Sequence, residues 1–110
     1  MSSRCRRCKP VPEEVRRTAD LLERRGTVSI LYAAHSGAVR FNEFLQSIGR
    51  IPPGTLAARL AELEAAGILE RRVVDSRPPR VEYVLTERGR ALRVLLDAVA
   101  RIAELTPARS

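Results

Sequence analysis

The stretch RFNEFLQSIGRIPPGTLAARLAELEAAGILERRVVDSRPPRVEYVL, residues 40–85, decides the fold through a change of period. Phe41, Phe44, Leu45 and Ile48 recur at i, i+3, i+4 and i+7, which makes one apolar face of a short helix. Gly49 ends it and opens a turn. Pro52-Pro53 starts a second helix, at a position where a missing N–H costs nothing. Leu56, Leu60 and Leu63 form its inward stripe as far as Ala66, and Thr55, Ala58, Arg59 and Glu62 lie on the opposite side. After Gly67 the period falls to two. Residues Ile68 to Val74 and Arg80 to Leu85 are β-rich runs, and in the second Val81, Tyr83 and Leu85 alternate with Arg80, Glu82 and Val84. Asp75-Ser-Arg-Pro-Pro79 joins them as a hairpin loop. A helix, a turn, a second helix and a hairpin in that order predict a winged helix-turn-helix.

The flanks extend this frame. A first helix is expected from about Glu13 to Arg25, with Val15, Ala19 and Leu22 on one stripe, two glutamates at its positive end and Gly26 closing it. Thr27 is placed to cap a short buried helix, Val28 to about His35. Thr86 is placed to cap a long last helix reaching Leu105, roughly 30 Å at ~1.5 Å per residue. The fold class is therefore mainly α with a small β-hairpin, a winged helix-turn-helix with N- and C-terminal dimerisation helices. The expected divisions are a basic arm over 1–12, the domain over 13–105 and a tail over 106–110. On the last helix Arg90, Arg93, Asp97, Arg101 and Glu104 form a narrow polar stripe, while Leu92, Val94, Leu95, Leu96, Val99, Ile102 and Leu105 fill the rest. A surface helix needs an apolar arc of only about 100°. This wider one predicts a second buried contact, most simply a two-fold homodimer in which Val15, Ala19, Leu22, Leu92, Leu95, Leu96, Val99 and Ile102 take part.

A chain of 110 residues fits one domain, and with aromatic residues at 4% and no Trp its core must be aliphatic. The net charge of +7 attracts polyanions: DNA, RNA or an anionic membrane. No apolar run approaches the ~18 residues of a membrane span. Met1 to Lys9 lacks the apolar core of a signal peptide, so a cytoplasmic protein is expected. The placement of arginine points to double-stranded DNA. The second helix of the pair offers Thr55 and Arg59 beside small Gly54 and Ala58, which allow close approach to base edges. Arg59 has three readings: a fork on guanine, a fork on phosphate, or a pair with Glu62 three residues on. Arg71, Arg72, Arg77 and Arg80 on the hairpin suit a wing on the DNA backbone or in the minor groove; charge that protects an exposed strand edge would look the same. Arg40 and Arg50 are placed to clamp phosphates.

Cys5-Arg-Arg-Cys8 sits in the basic arm, where the neighbouring cations favour thiolate. Ordinary reduced thiols, a redox pair, and half of a zinc site shared across a dimer are the three readings. His35, the only histidine, is expected to be structural. No nucleophile motif, phosphate-cradling glycine loop or carboxylate pair stands out, so no enzyme, metal or cofactor is expected.

The segments Arg40-Phe-Asn-Glu-Phe, Thr55-Leu-Ala-Ala-Arg-Leu-Ala-Glu-Leu-Glu-Ala-Ala-Gly-Ile-Leu-Glu-Arg-Arg and Pro78-Pro-Arg-Val-Glu-Tyr-Val-Leu-Thr-Glu-Arg-Gly-Arg-Ala-Leu closely resemble the HxlR-type family of prokaryotic transcriptional regulators, over about residues 13 to 104. The resemblance implies a homodimer related to the MarR-like regulators, joined by its terminal helices. It also implies a redox or electrophile sensor role for an N-terminal cysteine in some members, with Cys8 the nearer positional match. Two places depart from the family pattern. Arg24-Arg25-Gly26 stands where Gly-Lys-Trp is usual. Pro52-Pro53-Gly54 stands where Ser-Pro-Lys is usual, which removes a capping hydroxyl and a phosphate-seeking lysine. The expected function is a sequence-specific DNA-binding regulator. The competing expectation is a winged-helix module that binds protein and no longer reads DNA. A small-molecule effector cannot be named from the residues.

Overall fold

Leu56, Leu60 and Leu63 are completely buried, and the fold is built around that stripe. The computed structural model describes residues 7–106. In chain order these form α1 (Glu13–Leu22), α2 (Thr27–His35), α3 (Phe41–Ile48), α4 (Pro53–Ala65), β1 (Leu69–Val74), β2 (Arg80–Leu85), α5 (Glu87–Arg90) and α6 (Arg93–Leu105). The architecture is a winged helix-turn-helix: α3 and α4 are the helix pair, and β1 and β2 form an antiparallel wing. Helix α2 is central, contributing fully buried Ile30 and Leu31 and packing against α1, α3, β2 and α6. Phe44 is the large side chain of α3 that fills the same core.

The wing is registered by Leu69 opposite Leu85 at its base and Val74 opposite Arg80 near its tip. Successive strand residues face opposite sides. Leu69, Arg71 and Val73 therefore share a face with Tyr83 and Val81, and Glu70, Arg72 and Val74 share the other with Glu82 and Arg80. The base is buried at Leu69, whereas Val73 is 62% exposed, so the hairpin projects away from the core. A backbone bond anchors β2 from outside the hairpin: the Tyr83 N–H donates to the Val39 carbonyl at 2.7 Å. Val39 lies just before α3, so the wing is tied to the start of the helix pair.

A short segment after β2 closes the structure. The Thr86 N–H donates to the Ile68 carbonyl at 3.1 Å, and the Thr86 hydroxyl lies against the Gly67 and Ile68 carbonyls while accepting from the Gly89 N–H at 3.1 Å. Arg88 Nη1 donates to the Ala66 carbonyl at 3.0 Å, satisfying the C-terminal end of α4. Arg90 Nη1 donates to the Leu85 carbonyl at 3.0 Å. His35 Nε2 lies 3.1 Å from the Gly89 carbonyl; a carbonyl only accepts, so that nitrogen carries the proton. Gly89 is buried, and a Cβ there would collide with the Ile68 carbonyl oxygen and stand 3.0 Å from Leu85 Cδ2.

Three elements differ from the sequence-based expectation. Helix α1 ends at Leu22, short of Arg25, because the chain turns at residues 23–26 to enter α2. Thr27 does not cap α2. Gly26 does so in the left-handed region (φ +90°), while Thr27 is buried and its Oγ1 has no hydrogen-bond partner. The long last helix is two helices. Gly89 is a poor helix former, and the Leu92 N–H bonds three residues back to the Gly89 carbonyl at 3.1 Å, so the axis breaks at Ala91-Leu92. The break brings Leu96 (2% exposed) into the core with half-buried Leu92 beside it. Of the residues expected at a dimer contact, Leu96 is buried in the protomer's own core, and Leu92 and Leu22 of α1 are partly buried against it.

The collision at Gly89 gives a direct stability test. Gly89→Ala should lower stability by about 1–3 kcal/mol through overpacking, read as a fall in the thermal midpoint by circular dichroism. Gly54→Ala, at an exposed helical glycine with open space around it, should leave the midpoint unchanged or slightly raised. Equal midpoints for the two variants would contradict the close packing of Gly89 on Ile68.

Candidate nucleic-acid interface

Helix α4 buries one stripe and leaves the other side bare. Its N-terminal turn starts with Pro52 as N-cap and Pro53 at the first helical position, with no side-chain cap. Gly54 and Ala58 are exposed and Thr55 is half-buried. This half of the helix has little side chain on it, so the backbone can come close to a flat or grooved partner.

Two arginine-bearing clefts adjoin the helix pair. Arg25, Gly26, Ser29, Ile48, Arg50, Ile51, Pro52 and Thr55 line one of about 220 Å³ at the N-terminus of α4. Arg50 and Arg25 are exposed there. Arg25 entered the sequence reading only as the expected end of the first helix and in the Arg24-Arg25-Gly26 departure from the family pattern, not as a candidate DNA contact. The second cleft, about 420 Å³, lies between the N-terminus of α3 and β2 and is bordered by Arg40, Asn42, Gln46 and Arg80. The fold thus brings Arg40 and Arg80 together although they are 40 residues apart in the chain.

Glu43 holds that second cleft in shape. One of its carboxylate oxygens accepts from the Val39 and Arg40 N–H groups, both at 2.9 Å, the acidic half of an N-terminal cap. Those two backbone bonds, Val39 first, hold the carboxyl below its ordinary value of 4.5, with smaller contributions from the charges of Arg40 and Arg80.

The remaining arginines divide into free and engaged. Arg71, Arg77 and Arg80 are exposed. Arg72 is exposed but forked onto Glu70, Nε to Oε2 at 3.1 Å and Nη2 to Oε1 at 3.2 Å. The hydrogen bond from Arg72, then its charge, depresses the Glu70 carboxyl, and the same bond raises Arg72 above its usual value. Arg59 is engaged more deeply. Its side chain is 15% exposed, with Nη1 on Glu62 Oε2 at 3.1 Å and Nε donating to the Arg25 carbonyl at 2.8 Å. Of the readings open in the sequence, the pair with Glu62 is the one its placement matches.

In the arm, Cys8 is disulfide-bonded, and Cys5 lies outside the described residues. Among the described residues no group of three or more His, Cys, Asp or Glu side chains is arranged to hold a metal ion. No described helix is long and apolar enough to cross a membrane.

With this geometry in place, the family model for the HxlR-like helix-turn-helix matches residues 21–109. The chain belongs to the HxlR-like helix-turn-helix family. This HxlR-like chain is 32% identical over 87 residues to the HTH-type transcriptional regulator YvaP of Bacillus subtilis, covering 79% of the chain and 81% of YvaP. Four further relatives are longer, and the chain spans 53% to 65% of their length. Among solved structures it is similar to the redox regulator HypR in its oxidized form, with a TM-score of 0.80 and 34% identity over 87% of this chain and 99% of that one. It is also similar to diamide-treated YodB from Bacillus subtilis, with a TM-score of 0.74 and 31% identity over 92% of this chain and all of that one.

The Glu43 cap yields a pH prediction with a fixed sign. A carboxyl depressed in the folded state contributes fully above its unfolded value and loses that contribution as pH falls through the lower folded value. The amide resonances of Val39 and Arg40 should therefore titrate together with a midpoint below 4.5. In Glu43→Ala both should stay flat through that range. A midpoint at or above 4.5 in the native chain would remove the cap from the account.

Proposed function

We propose that this HxlR-like chain is a sequence-specific, double-stranded DNA-binding transcriptional regulator that acts as a homodimer in the cytoplasm, and is not an enzyme. The observation that carries this reading is the bare N-terminal half of α4, with Gly54, Thr55 and Ala58 outward and Arg50 and Arg25 in the adjoining cleft. In a helix-turn-helix that half enters the major groove. Arg40 and Arg80 in the second cleft, with Arg71 and Arg77 on the wing, supply cations for the flanking phosphates. Its relatives' description as transcriptional regulators agrees with this reading.

Selection of bound duplexes from a random library, followed by salt titration of the winner, tests it. A preferred sequence should emerge, and its affinity should fall linearly in log–log form with salt as phosphate contacts release counterions. Arg77→Ala should weaken all duplexes alike and flatten that slope by about 0.9 for each phosphate it no longer neutralises. Binding with no preferred sequence and no salt dependence would sink the proposal and favour a protein-interaction module.

A redox response is a second layer of the proposal, supported by the basic surroundings of Cys8 and by the neighbours HypR and YodB. In the same selection run on protein first reduced with dithiothreitol, a thiol oxidant that re-forms the Cys8 disulfide should change DNA affinity in the native chain but not in Cys8→Ser. An unchanged oxidant response in that variant excludes Cys8 as the sensor.

The dimer is supported by exposed apolar surface on the terminal helices. Val15 of α1 is 51% exposed, and on α6 Val94 is 78%, Ile102 63% and Leu105 70% exposed, with Leu95 and Val99 less so. Helix α1 has no buried residue, and half-buried Ala19 lies on it. The radius of gyration, 17.0 Å, exceeds the roughly 13 Å of a compact chain of this length, as expected of a protomer whose end helices await a partner. Ile102→Asp should convert a dimer into a monomer by light scattering while the circular dichroism spectrum stays helical. A native chain that is monomeric at micromolar concentration would exclude the dimer.

A further inference from the structure

Arg59 stands at a junction that the proposed function leaves unused. Its guanidinium forks between two groups on different parts of the fold: the Glu62 carboxylate one turn along α4, at 3.1 Å, and the Arg25 main-chain carbonyl in the α1–α2 corner, at 2.8 Å. Glu62 is itself shared, since Arg24 Nε lies 3.1 Å from its other oxygen, Oε1. One carboxylate on α4 thus joins two arginines, and both links end in the same corner, Arg24-Arg25. The corner is tight: a Cβ on Gly26 would stand 3.0 Å from Ile51 Cδ1 in the α3–α4 turn. The side chain of Arg25 opens onto the cleft shared with Arg50 and Thr55.

We infer that Arg59 is a positioning residue: through Glu62 and the Arg25 carbonyl it fixes α4 against the α1–α2 corner, and so sets which spacing of DNA half-sites the dimer accepts. This rests on the DNA-binding dimer proposed above. The reasoning is geometric. Helix α1 belongs to the apolar surface assigned to the dimer, and α4 carries the groups assigned to DNA. In this bracket a planar fork links the corner after α1 directly to α4. A guanidinium holds two acceptors in a fixed plane, and an ammonium does not reproduce that arrangement. Because Arg59 is mostly buried and its charge is balanced by Glu62, it is poorly placed to neutralise a phosphate.

Arg59→Lys and Arg59→Ala, with Glu62→Gln as a milder break of the same bracket, test this on the full-length chain. Two quantities are read for each: the slope of log affinity against log salt, and the preference among duplexes carrying the selected half-sites at varied spacing. Both Arg59 variants should reduce the preference for the best spacing about tenfold, the equivalent of one charge-assisted hydrogen bond. Glu62→Gln should reduce it less, and the salt slope should stay at the native value for Arg59→Lys and Arg59→Ala. Circular dichroism checks that each variant is folded. Full recovery by Arg59→Lys, or a slope flattened by about 0.9 per protomer in Arg59→Ala, would overturn the positioning role and make Arg59 a phosphate contact. Loss of preference at one base position, with spacing unchanged, would overturn it in favour of base reading. If the native chain itself selects no duplex, the proposed function fails and takes this role with it; native selectivity that persists intact in both Arg59 variants overturns this role alone.

Discussion

The fold depends on the close approach of Gly89 to the Ile68 carbonyl. Four pieces of chain meet there: the end of α4, the base of the wing, the return from β2, and α2 through His35. A side chain at 89 would push the returning segment off Ile68, and Thr86 would lose its carbonyl partners. This knot holds the base of the wing, and the bond from Tyr83 to Val39 holds β2 to the start of α3. Both strands of the hairpin are thereby fixed to the helix pair, and arginines on a two-stranded ribbon, which would be marginal alone, acquire a defined place relative to α4.

Much of this was legible in residues 40–85. The 3.6-residue stripe of Phe41, Phe44, Leu45 and Ile48, the leucine stripe of α4 and the alternation of Val81, Tyr83 and Leu85 carry strong periodic signals, and each became an element of the expected type. The failures sit where a local signal met a tertiary demand. Thr27 has the chemistry of a cap, but the turn before it needs a left-handed residue, and Gly26 takes that place. Residues 86–90, Thr-Glu-Arg-Gly-Arg, carry no apolar side chain and the apolar pattern starts only at Ala91-Leu92, but a polar first turn after the Thr86 cap reads equally well as the start of one continuous helix. The break at Ala91-Leu92 follows from the packing of Gly89, which is a three-dimensional fact. The width of the apolar arc on this helix likewise does not say which of its leucines the protomer itself buries; Leu96 is buried in the core and Leu92 partly so.

The site was legible in kind more than in detail. Sequence counts arginines and cannot tell a free guanidinium from an engaged one. Arg72 and Arg59 look the same in the sequence as Arg77 and Arg50, yet each is forked onto a glutamate. The two cases also differ from one another. The Arg72–Glu70 pair is exposed on the wing, where such pairs contribute little and a phosphate can compete for the arginine. The Arg59–Glu62 pair is largely shielded and adds a main-chain acceptor, so releasing its arginine would leave the Arg25 carbonyl without that donor. The arginines available to DNA are therefore fewer than the sequence count suggests, although pairing leaves the net charge of +7 unchanged, and those not engaged elsewhere border the two clefts and the wing.

This division separates holding from touching. The outward face of α4 is nearly bare, so on the proposed reading affinity comes from the arginines around it, through phosphate contacts that are sequence-blind. Selectivity then has two sources: the few groups at Gly54, Thr55 and Ala58, and the placement of one α4 relative to its copy. The departure at Pro52-Pro53-Gly54 weakens the first source, because it supplies no side chain that reaches a base edge. The bracket from α4 to the α1–α2 corner supports the second, since a helix fixed to the element beside the proposed dimer surface accepts only a narrow range of half-site separations. On the proposed reading, a helix poor in contacts still selects when its position is fixed, and the role inferred for Arg59 is to fix it through Glu62 and the Arg25 carbonyl.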